Sequence, residues 1–229
     1  NLMALGADPF VTTNATPDSF ALCDGAVATV LVDSNDWPGV TRAVGDLAGD
    51  LQRVTGQRPK MVHQPEATGP NVVIIGTIGQ SPLIDRLIRE KQIDVSAIAG
   101  QWESFFLQVV PRPLPGIENA LVICGSDKRG TIYGIYALSE QIGVSPWHFW
   151  GDVPPWHHEK LFVKAGKHVT GPPAVKYRGI FINDEAPALT EWVRMTYGEV
   201  PGRRGVANYG SGFYTNVFEV MLRLRANYL

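Results

Sequence analysis

Short apolar runs that alternate with amphipathic stretches constrain this chain more than any other feature. Asn71–Ile75 (NVVII) is apolar on both side-chain parities and ends at Gly76, the pattern of a strand covered on both faces. Ala28–Val32 (ATVLV) is a second β-branched run. Between them Val40, Val44, Leu47, Leu51 and Val54 recur at helical spacing; Asp36-Trp37-Pro38 supplies the start and Gly56 the stop. Ser81-Pro82 opens a second helix carrying Leu83, Leu87 and Ile88. Phe105–Val110 and Ala120–Cys124 predict two more strands. The proline-rich connection Pro111–Gly116 is too short for a crossover helix, so this pair is expected to be antiparallel. A third helix is predicted from about Arg129 to Ile142, with Ile132, Ile135, Tyr136, Leu138 and Ile142 available for burial. Strands interleaved with helices predict a layered α/β fold.

The pattern then changes. Residues 1–145 are expected to form this N-terminal α/β domain, and 146–173, rich in aromatics and proline (PWHFWGDVPP), to form an ordered linker. A new strand, Ala174–Ile182, opens the last segment, 174–229. After it come a polar loop, about Thr196 to Gly212, and a helix, about Phe213 to Arg225, before a strand start at Ala226-Asn227-Tyr228-Leu229. An apolar strand start leaves an unpaired edge, so the polypeptide is expected to continue past Leu229.

With 229 residues, 45% hydrophobic and 18% charged, the chain has the composition of a well-buried globular protein. Its 20 basic and 22 acidic residues are scattered, which argues against nucleic acid as a partner. No apolar run reaches the roughly 20 residues that cross a bilayer. Cys23 and Cys124 can be read as a disulfide or as two buried thiols. Asn14-Ala15-Thr16 is a glycosylation acceptor pattern.

Chemistry is most visible at Tyr177-Arg178-Gly179-Ile180-Phe181-Ile182-Asn183-Asp184-Glu185, where three polar residues end an apolar strand. Carboxylates at a strand end suit acid/base chemistry or the recognition of sugar hydroxyls; in a barrel that end is the active-site face. Strand alternation places Asn183 and Glu185 on one side and Asp184 on the other. The alternative is a solvated loop, or a cap for the helix after Pro187. Ser126-Asp127-Lys128-Arg129-Gly130, between a strand and a helix, offers two cations at a helix start and could receive an anion; a capped turn with solvated cations is the favoured reading of these residues. Gly76-Thr77-Ile78-Gly79 lacks the spacing of either nucleotide-binding glycine motif. His148, His157 and His158 match no zinc spacing. Trp147, Trp150 and Trp156 could stack on sugars, but are expected to pin the linker to its neighbour.

Three ordered segments resemble the xylan α-1,2-glucuronidases of glycoside hydrolase family 115: Gly125–Val153, Val175–Thr190 and Val217–Leu229. The resemblance implies the N-terminal portion of a secreted or periplasmic enzyme, an α/β accessory domain followed by the beginning of a (β/α)8 TIM barrel. It implies inverting, metal-independent release of (4-O-methyl-)glucuronic acid from xylan, with no cofactor. Glucuronoxylan or its oligosaccharides would be the partner, with no nucleic acid and no membrane; a homodimeric full-length form stays open. A non-catalytic carbohydrate-binding module is the competing expectation. The acid and base are expected beyond Leu229. By matching motif, Glu185 and Asn183, then Asp184, would contact the uronic acid, with Lys128 and Arg129 as further contacts from the accessory domain. Tyr197–Gly212 is less regular than the resemblance implies, which leaves substrate preference around that loop open.

Overall fold

The computed structural model describes residues 8–65, 68–184 and 187–229. They divide into two compact units, one up to Ala174 and the other Val175–Leu229.

The first unit is built on a six-stranded sheet in the order β10-β7-β8-β6-β4-β5. Its parallel core is β5 (Met61–Val62), β4 (Thr29–Val32), β6 (Asn71–Thr77) and β8 (Asn119–Gly125). β7 (Phe105–Pro111) pairs antiparallel with β8 from Phe105 opposite Gly125 to Pro111 opposite Asn119, as its short connection requires. β10 (Lys167–Thr170) closes that edge, antiparallel to β7. Three helices cover the sheet: α1 (Pro38–Thr55), α2 (Pro82–Arg89) and α3 (Lys128–Gln141).

Parity decides which helix lies where. Leu31, Val72, Ile74 and Val122 form one buried cluster with Leu83, Ile84 and Leu87 of α2. The intervening residues Val30, Val73, Ile75 and Ile123 are equally buried and face the other side. α3 lies there: a Cβ on its Gly134 would sit 2.9 Å from Ile123, and α1 packs against α3 at Ile132. Helix boundaries follow local signals. Ser81 accepts a hydrogen bond from the Ile84 N–H, and Gly56 ends α1 in the left-handed region at φ 74°.

A second, four-stranded sheet was not expected. It has the order β1-β9-β2-β3, from β1 (Val11–Thr12), β2 (Phe20–Asp24), β3 (Ala26–Val27) and β9 (Lys160–Val163). Phe20 and Leu22 of β2 are fully buried. Segment 146–173 carries two strands: β9 joins this sheet and β10 the larger one. Trp156, expected to pin it, is 83% exposed. Cys23 and Cys124 are buried free thiols, the latter pushed up to about 12 by burial. No helix among the described residues is long and apolar enough to cross a membrane.

The second unit holds α4 (Ala188–Tyr197) and α5 (Ser211–Arg223) around Val193, Phe213, Val217, Val220 and Met221. The strand expected at Ala174–Ile182 is reduced to one parallel bridge, Gly179 with Tyr228. The contact is too close for a side chain: a Cβ on Gly179 would stand 2.0 Å from the Tyr228 carbonyl oxygen. Arg178 secures it; its carbonyl accepts from the Asn227 and Tyr228 N–H groups, and its Nε donates to the Arg225 carbonyl at 2.8 Å. A parallel bridge across two intervening helices is the connection that a strand-helix-strand unit makes.

Candidate functional site

In the second unit an open cavity of about 790 Å³ lies over this bridge. Gly179–Ile182 and Asp184 form one wall, Tyr228 and Leu229 another, and Leu189, Tyr209, Phe213 and Tyr214 the rest. The lining is mostly aromatic and apolar, with Asp184 as its carboxylate among the described residues, the composition of a small-molecule site. Phe181 is 88% and Tyr228 63% exposed, so ring faces are presented to solvent instead of being spent on the core. Phe213 is buried beneath them, meeting Tyr209 and Tyr214 edge-on at 5.1 Å each.

The polar edge is short. Asp184 is exposed and accepts a hydrogen bond from the Thr190 hydroxyl, in the first turn of α4. Tyr209 donates to that same Thr190 oxygen at 3.4 Å. Burial raises the Tyr209 phenol above its usual range; the bond to Thr190 opposes this, and the Asp184 carboxylate adds to it. A neutral phenol and a hydrogen-bonded carboxylate on one rim can accept from sugar hydroxyls, and the phenol can donate to one by giving up its 3.4 Å bond to Thr190.

Of the residues expected from the sequence, Asp184 lines the cavity; Asn183 is exposed and is not among its lining residues. Glu185 lies outside the described residues. Tyr209, Phe213 and Tyr214 were missed. Their spacing, i and i+4 with a neighbour, was the available signal, but it straddles the start of α5 and reads as ordinary loop and core.

The motif at Ser126–Gly130 belongs to the first unit and is largely a clip. Asp127 caps α3, accepting from the Gly130 N–H at 2.7 Å and from the Glu103 N–H at 2.9 Å. Ser126 accepts from the Ser104 N–H and donates to the Ser104 carbonyl, both at 3.0 Å. A Cβ on Gly130 would fall 2.3 Å from that carbonyl oxygen. Arg129 pairs with the buried Glu103 at 3.3 Å. Lys128 remains exposed, its Nζ 5.9 Å from the centre of the Trp37 ring.

Residues 170–229 match the family model described as glycosyl hydrolase family 115. A solved family GH115 4-O-methyl-α-glucuronidase, described as having specificity for decorated arabinogalactans, superposes with a TM-score of 0.75 at 36% identity over 91% of this chain. The chain belongs to glycosyl hydrolase family 115. It spans 25% of the length of that solved relative. Two other solved structures, a Streptomyces plicatus β-hexosaminidase variant with its product and a Flavobacterium johnsoniae chitobiase, each give a TM-score of 0.41 at 15% identity. They cover 70% and 76% of this family 115 chain, and 24% and 21% of their own, and carry no argument. A search of curated proteins returned no match.

Proposed function

We propose that this family 115 chain is the N-terminal portion of an inverting glycoside hydrolase that releases (4-O-methyl-)glucuronic acid from α-1,2-linked side chains of xylan. The observation that carries the reading is the family match over 170–229, the stretch that also builds the aromatic cavity with Asp184 on its rim. The first unit is the accessory domain. The Gly179–Tyr228 parallel bridge, with two helices between its partners, is the beginning of the (β/α)8 barrel. Gly179–Asp184 then ends the first barrel strand on the face where such barrels carry their sites.

Inversion needs an acid and a base about 6.5–9.5 Å apart, with room for a water between them. Asp184 is hydrogen-bonded at the rim, and Glu185 follows it directly. Both serve as contacts to the uronic acid, while the proton-transferring pair comes from polypeptide beyond Leu229. The enzyme acts outside the cytoplasm, secreted or periplasmic, without metal or cofactor.

Substrate preference is the open choice, because the solved relative is described as specific for decorated arabinogalactans. Assaying the full-length protein on glucuronoxylan and on decorated arabinogalactan in parallel tests it. Faster uronic acid release from glucuronoxylan supports the xylan reading. A preference for arabinogalactan moves the substrate to that polymer, and no release from either overturns the hydrolase reading.

A further inference from the structure

The first unit has a cavity of its own, of about 450 Å³, outside the carboxyl ends of β4, β6 and β8. Open α/β sheets leave a crevice at this edge where the connections diverge. Here β4 leads through α1 to β5 on one side, while β6 and α2 lead away on the other. Its lining comes from the three turns that follow those strands and includes Trp37, Gln80, Asp127 and Lys128.

Each of these groups is available or occupied in a way that selects a ligand. Trp37 is 42% exposed although it caps the start of α1. Beneath it Asp36, only 4% exposed, accepts from the Trp37 N–H at 2.7 Å and from the Thr77 N–H and hydroxyl at 2.8 and 2.9 Å. The platform is thus held by a buried network, with Thr77 bonded onward to Thr131 at 2.7 Å. Lys128 is exposed, and among the described residues its Nζ makes no ion pair; it lies over the Trp37 ring at 5.9 Å, a contact that a sugar stacked on that ring would replace. Gln80 donates its amide to the Asn35 carbonyl at 2.7 Å, which fixes the group and leaves its Oε1 as an acceptor. The Asp127 carboxylate has both oxygens engaged by backbone N–H groups.

We propose that this cavity binds one acidic sugar ring, stacked on Trp37, with its carboxylate on Lys128 and a hydroxyl on Gln80. An inorganic anion would leave the indole face unused, and a neutral sugar would leave the ammonium unused. The choice of a uronic acid among carboxylated rings rests on the glucuronidase reading above.

The test follows the Trp37 indole N–H by NMR in full-length protein labelled at tryptophan, titrated separately with glucuronic acid, glucose and inorganic phosphate. Saturable shifts with glucuronic acid alone are expected. Lys128→Met should weaken binding by about tenfold, the scale of a charge-assisted hydrogen bond. Trp37→Phe keeps an aromatic platform for a second readout on Lys128 Hε, and should bind less tightly than the parent. Glucose binding as well as glucuronic acid would overturn the role of Lys128; phosphate binding as well would make this an anion site without a sugar. No saturable shift overturns the proposal outright. These outcomes are separate from uronic acid release by the longer protein, so either reading can fail alone.

Discussion

Gly130 is a residue whose whole contribution is the atom it lacks. The Ser104 carbonyl that would meet its Cβ is itself bonded to Ser126, so neither partner can retreat without breaking the clip. Gly130→Ala is expected to cost about 1–3 kcal/mol, the range for overpacking, read as a lowered midpoint in urea with an unchanged slope. The same motif was readable only as two alternatives, because sequence shows cations at a helix start but not the Glu103 that neutralises Arg129 from 26 positions away. At the other end of the chain, Glu185→Ala in the full-length protein should lower glucuronic acid release at least about tenfold, the loss that follows removal of one strong substrate hydrogen bond. Near-normal turnover would overturn the proposed contact between Glu185 and the uronic acid.

At the scale of elements, the long regular ones were legible, as were the short β4 and α2, while the other short strands were not. α1 and α3 and the paired strands β7 and β8 lie within one or two residues of the boundaries that spacing and turn residues predict, because each buries a continuous apolar face. β9 and β10 went unread within an apparent linker. They are four residues each, and their partners lie about 140 and 60 positions upstream, so no local pattern announces them. β10 also carries a pH dependence. His168 stacks on Phe10 at 4.5 Å, its Nε2 is buried without a hydrogen-bond partner, and burial holds its pKa below the ordinary value. His158 is lowered too, first by burial and then by His157. A depressed histidine is neutral in the folded state while the unfolded chain takes up a proton near pH 6.5. Its contribution is therefore complete above about pH 6.5 and lost as pH falls through the folded value. Melting temperature should fall below pH 6.5, and His168→Phe should flatten part of that fall. An unchanged slope in the variant would assign the pH dependence elsewhere.

Across the whole molecule, the layered α/β class could be read from the alternation of runs, and the family from three ordered segments. The candidate cavity could be read only at its Asp184 rim. Its aromatic wall comes from Tyr209 and Tyr214, which reach Phe181 and Tyr228 through the fold alone. The central claim is the proposed release of uronic acid, made for a chain that spans 25% of the length of its solved relative. Following the full-length protein on glucuronoxylan by proton NMR tests that claim most directly. The account predicts free glucuronic acid appearing first as the β anomer, since the α linkage is inverted, and equilibrating afterwards. The α anomer first would contradict inversion, and the absence of any uronic acid would contradict the assignment as a glucuronidase.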